Sequence, residues 1–130
     1  MGGRNPRSLT LDAGALIAVE SADRRVSTIL LRATERGAHI IVPAGALAQV
    51  WRKGSRQVRL ALLLDDPTVT VEIIDAEMAK ACGELCGRHG TDDVIDASVV
   101  LTGRRYNSTI LTSDLDHLRK LAPNLDLVKV

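Results

Sequence analysis

The feature that most constrains this chain is an alternation. Short apolar runs at Leu9–Leu11, His39–Val42, Val69–Ile73, Thr109–Thr112 and Leu125–Val130 are separated by stretches of helical periodicity. Parallel strands need long crossovers, usually helices, whereas antiparallel neighbours can be joined by tight turns. The alternation therefore predicts an α/β fold in three layers, a parallel five-stranded sheet covered by helices on both faces. A chain of 130 residues suits a single domain over 1–130, with residues 1–7 as a flexible arm.

The helices are legible one at a time. Across 23–36, Val26, Ile29, Leu30 and Ala33 follow the i, i+3, i+4, i+7 spacing, and Gly37 sits where a C′ residue ends a helix. Ala44 to Lys53 is expected to bury Ala44, Leu47, Ala48 and Trp51, and a second helix is expected from Arg56 to Leu64. Asp75 can cap a helix with Met78, Cys82 and Leu85 on one side, closed by Gly90. Thr91 is expected to cap the next helix, with Asp92 and Asp93 in its first turn, and a short helix runs from Leu115 to Leu121.

Charge excludes one class of argument. The formal net charge is +1, so no global basic field draws in nucleic acid, and any such binding must be local. No apolar run approaches the ~20 residues that span a bilayer, and MGGRNPR is not followed by the apolar core of a signal peptide. A soluble cytoplasmic protein without membrane contact is expected. Cys82 and Cys86 lie four residues apart on one helix, an awkward geometry for a disulfide. Even with His89 nearby they fall short of the four ligands of a structural zinc site, so they read as two small buried thiols.

The chemistry concentrates in the carboxylates. The stretch Thr91–Asp116 carries Asp93 and Asp96 on one helix face, then Asp114 and Asp116 after an apolar strand, while Asp12 follows the first strand. Asp12, Asp93, Asp114 and Asp116 each have an ordinary reading as helix caps or first-turn residues. Asp96 reads as a mid-helix acid in an apolar segment, with Asp92, Asp93, Val99 and Val100 at its helix-pair positions and no cation among them. If the sheet is parallel, these carboxylates meet at the strand ends, where like charges need a proton or a cation. Mg²⁺ or Mn²⁺ fits that role.

Four segments in order, LTLDAGALIA, IVPAGALAQVWR, DVIDASVVL and TILTSDLDHL, resemble the PIN-domain ribonucleases, most closely the VapC-type toxins of bacterial toxin–antitoxin pairs. The resemblance spans essentially the whole chain. It implies a metal-dependent endoribonuclease that commonly dimerises and is blocked by a small antitoxin. It also implies that Asp12, Asp96 and Asp114 are the metal-binding and catalytic acids, with Asp116 a frequent auxiliary metal ligand and Asp93 an outer contact. One departure stands out: Gln49 occupies the place where the family usually has a Glu. A neutral amide holds a hard cation less strongly than a carboxylate, so a catalytically weak domain that binds RNA or a partner is the alternative. Thr112 and Ser113 flank Asp114 and can contact a water or phosphate, or simply close the strand end.

Arg52, Lys53 and Arg56, with Arg59, form a basic cluster suited to RNA phosphates, and Arg104 and Arg105 follow the acidic helix. The chain has no Phe and only Trp51 and Tyr106 as aromatic residues, which argues for recognition of a folded RNA by shape rather than by base stacking. Receiver and dehalogenase-type phosphatase folds also place acids at strand ends, but both need a second acid after the first strand. Asp12 is followed by Ala13-Gly14 instead.

Overall fold

The computed structural model describes residues 7–130. Five strands, β1 (Leu9–Leu11), β2 (Ile40–Pro43), β3 (Val69–Glu72), β4 (Thr109–Thr112) and β5 (Leu127–Lys129), form one sheet in the order β3-β2-β1-β4-β5. Every pairing is parallel, as the alternation predicts. The helices among the described residues are α1 (Ala13–Glu20), α2 (Arg24–Glu35), α3 (Ala44–Val50), α4 (Val58–Asp65), α5 (Ala76–His89), α6 (Val94–Arg105) and α7 (Leu115–Leu121). None is long and apolar enough to cross a membrane.

The order places a topological switch between β1 and β4. From β1 the chain moves outward through β2 and β3, then returns across β1 to lay down β4 and β5. Neighbouring crossovers therefore diverge at this point, and in open α/β sheets the carboxyl ends of the strands at such a point are where ligands bind. Leu9 pairs with Thr109 and Leu11 with Leu111, so the strands end level, and the Asp12 amide donates to the Leu111 carbonyl at 3.1 Å. The chain segments that leave β1 and β4 thus emerge side by side.

Burial reflects position in the sheet. β1 and β2 are wholly buried, and the core is built on Leu11, Leu16, Ile40, Val42, Leu60 and Leu111. Edge strand β3 is only half covered. Cys82 and Cys86 are free and buried, as expected, and burial pushes both thiols up.

The α3 region departs from its expected pattern. The helix stops at Val50, the buried residues are Gly45, Ala46 and Val50, and Ala48 is exposed. Trp51 is 36% exposed rather than core. The cause is the buried Gln57 side chain, which accepts from the amides of Arg52 (2.8 Å) and Lys53 (3.0 Å) and donates to the Val50 carbonyl (2.9 Å). Those bonds satisfy the backbone in a non-helical turn. A 3-10 turn at Gly54–Arg56 then delays α4 until Val58. The expected arm lies outside the described residues except for Arg7, which pairs with Asp126 at 2.9 Å.

Candidate metal centre

Three of the acids at this end of the sheet are helix N-caps. Asp12 caps α1, its Oδ1 accepting the Ala15 amide at 2.9 Å. Asp93 caps α6, accepting the Asp96 amide at 3.0 Å, and is itself held by its own amide donating to Thr91 Oγ1 at 3.2 Å. Asp114 caps α7, accepting the His117 amide at 3.2 Å. The ordinary reading of these residues is thus correct as far as it goes. Each cap satisfies an orphan amide and leaves one carboxylate oxygen free for other work.

Asp96 corrects the expectation for its position. Because Asp93 rather than Thr91 is the cap, α6 begins at Val94 and Asp96 is its third residue, in the first turn rather than mid-helix. A carboxylate there is favoured by the helix dipole. Its difficulty comes from its neighbours. Burial raises the Asp96 pKa to about 6, helped by the Asp93 charge and side chain and by the Asp12 charge, with His117 pulling the other way. Asp12 is therefore electrostatically in range of Asp96, and it is only 6% exposed.

His117 is the residue that sequence reasoning missed. Its Nε2 lies 3.1 Å from Asp96 Oδ2 and 3.7 Å from Asp93 Oδ2. Donor atoms of Asp93, Asp96 and His117 all fall within 4.8 Å of one another, and all three residues are partly buried. The partner missing from the helix-pair positions of Asp96 is supplied by α7. The only local hint was the spacing of Asp114 and His117 across the first turn of a short helix.

The remaining candidates sort by place. Asp114 and Asp116 are exposed and stand outside that convergent trio. Thr112 is buried, and its Oγ1 accepts the Asp114 amide at 2.9 Å, a strand-end hydrogen bond. Ser113 presses on Gly14: a Cβ at Gly14 would overlap the Ser113 side chain. That contact brings the loop after β4 against the first turn of α1, and hence the Asp114 cap beside the Asp12 cap. Gln49 is exposed near the end of α3.

The Arg52 guanidinium donates to the carbonyls of Ala48 (3.0 Å) and Trp51 (2.7 Å), capping the end of α3, while Lys53 and Arg56 are exposed. Arg105 pairs with Glu72 at 3.3 Å, and Arg104 and Arg105 close the helix that Asp96 opens. They are about 13 Å away along its axis.

These side chains fit a divalent cation. Asp12 is buried at the switch point, its Oδ1 accepting the Ala15 amide, and its charge bears on Asp96. Burial first, and then the charges of Asp93 and Asp12, make Asp96 resist ionisation, and a cation offsets that penalty. Carboxylate oxygens with one imidazole form a donor set used by first-row divalent metals.

A family model for the PIN domain matches residues 9–122. No curated protein matches the chain. Among solved structures, VapBC2 from Rickettsia felis, bound to a DNA fragment from their promoter, aligns with a TM-score of 0.69 at 17% identity, covering 94% of this chain and 98% of that one. FitAB bound to an IR36 DNA fragment aligns with a TM-score of 0.60 at 14% identity, covering 93% and 94%. FitAcB from Neisseria gonorrhoeae aligns with a TM-score of 0.58 at 16% identity, covering 92% and 95%. At such identities the structures report the fold, and the matched family model spans β1 through α7: the chain belongs to the PIN domain family.

Proposed function

We propose that this protein is a metal-dependent endoribonuclease, the toxin of a VapBC-type toxin–antitoxin pair acting in the cytoplasm. The observation that carries the reading is the gathering of Asp93, Asp96 and His117 within 4.8 Å, with the Asp12 charge alongside, at the switch point of a PIN domain. Asp12 and Asp96 hold Mg²⁺ or Mn²⁺, with Asp114 and Asp116 offered from the start of α7. When bound, the cation stabilises charge on a phosphoryl oxygen and makes water a stronger nucleophile. The protein's own part is positional. Caps on α1, α6 and α7 hold the carboxylates at the strand ends, and Asp93 orients the first turn that carries Asp96. Lys53 and Arg56, with the outer face of Arg52, hold RNA phosphates.

The likeness in fold to VapBC2 and FitAB supports an antitoxin partner. Exposed apolar side chains on α2 and α4, Leu31, Val58 and Leu62, supply surface for that partner and for a homodimer. The test is cleavage of diverse RNAs with Mn²⁺ by the wild type and by Asp96→Asn. Cleavage should fall at least 100-fold in the variant. Equal absence of cleavage in both favours the second reading, a domain that binds RNA or a partner without cutting. That reading is favoured by the neutral Gln49 where the family usually carries a Glu.

A further inference from the structure

We infer that His117 is a direct metal ligand, and that its nitrogen makes the site prefer Mn²⁺ to Mg²⁺. The inference rests on the metal site proposed above and deepens it. In six-coordinate geometry, bonds of about 2.1 Å place adjacent donors about 3 Å apart. His117 Nε2 already stands 3.1 Å from Asp96 Oδ2 and 3.7 Å from Asp93 Oδ2, near the separations that two carboxylates and an imidazole adopt around one ion. The backbone that carries the ring is held in turn: the His117 amide donates to Asp114 Oδ1 at 3.2 Å, which caps the first turn of α7. A second observation comes from outside the trio. Asp12 is 6% exposed, its Oδ1 engaged by the Ala15 amide, and its charge reaches Asp96. This carboxylate adds negative charge to that already gathered at Asp93 and Asp96, an excess that a cation offsets.

Selectivity follows from donor chemistry. Mg²⁺ prefers oxygen and gives up water reluctantly, whereas imidazole suits transition ions. The donor that the fold brings to Asp93 and Asp96 is the His117 nitrogen, not a further carboxylate. Asp114, the acid that the family resemblance nominates, then serves to position His117 through the backbone as well as to face the substrate.

The experiment uses Mn²⁺ alone as the probe. Calorimetry on the full chain gives Mn²⁺ and Mg²⁺ affinities for wild type, His117→Ala, His117→Gln and Asp96→Asn. Electron spin-echo spectroscopy of bound Mn²⁺ reads the coupling of a coordinated ¹⁴N. The expected result is a nitrogen signal in wild type that is absent in His117→Ala, with Mn²⁺ binding weakened about tenfold or more and Mg²⁺ binding changed less than about threefold. His117→Gln, which retains a donor of similar reach, should lose the nitrogen signal but recover part of the affinity. Mn²⁺ bound without nitrogen coupling, lost in Asp96→Asn yet unchanged in His117→Ala, overturns the ligand role and leaves the metal site standing. Absence of Mn²⁺ binding by folded wild type overturns both.

Discussion

Five of the described helices begin at an aspartate, and the five divide into two groups. Asp23 on α2 and Asp75 on α5 accept the amides of Val26 and Met78 at 2.9 and 2.8 Å and stand exposed on the outside of the molecule. Asp12, Asp93 and Asp114 make the same bond, three residues on, in the same way. What separates the groups is where the second carboxylate oxygen points. On α2 and α5 it meets water. At the switch point Asp93 turns it toward His117 Nε2, 3.7 Å away, and the charges of Asp93 and Asp12 both bear on Asp96, while Asp114 stands exposed beside them. A local device that only satisfies an orphan amide in one place adds to an electrostatic problem in the other, of the kind a cation relieves.

The sharpest way to break this comparison is to neutralise a cap in each group. Asp12→Asn keeps the capping oxygen but removes charge, so Mn²⁺ affinity by calorimetry should fall tenfold or more, whereas Asp75→Asn should leave it within about twofold. Equal effects would show that position confers nothing.

Close packing distinguishes the regions next. A methyl at Gly14 would overlap Ser113 Oγ and Cβ. Gly14→Ala is expected to cost about 1–3 kcal/mol in denaturant unfolding, with Ser113→Gly restoring part of it. Full stability in Gly14→Ala would mean that the loop after β4 is not held against the first turn of α1.

Stability against pH follows from Asp96. Its folded pKa, about 6, exceeds the unfolded 3.8, so the native state binds more protons between those values. The favourable contribution of Asp96 is present below pH 4 and is lost as pH rises through 6. In metal-free protein with chelator, Asp96→Asn should therefore melt a few degrees higher than wild type at pH 7, on the order of 1 kcal/mol, and lose part of the decline between pH 4 and 6. Asp23→Asn should leave that decline intact. The smallest effect belongs to α5, where a Cβ at Gly83 meets nothing within 4 Å. Gly83→Ala should stabilise by about 0.5–1 kcal/mol, seen as a modest rise in Tm with metal binding unchanged.

Much of this molecule was readable in one dimension, and the reasons are local. The Val26, Leu30 and Ala33 stripe, the Asp75 cap and the left-handed Gly90 are decided within one or two turns of chain. So is the alternation that makes the sheet parallel. Misreadings arose where a distant group intervened. Trp51 fits an apolar stripe on paper, yet Gln57 reaches back to end the helix before it. Asp96 looked partnerless because every helix-pair neighbour was acidic or apolar, and its partner lies 21 residues away on another helix.

The sequence by itself determined the element order, the caps and the supply of carboxylates, because those depend on periodicity and on bonds spanning three or four residues. Only the tertiary structure decided which carboxylates converge. Strand order β3-β2-β1-β4-β5 sets β1 beside β4, and the packing of α7 on α6 brings His117 to Asp93 and Asp96. No short-range rule specifies that meeting, because it depends on how separate elements pack across the end of the sheet.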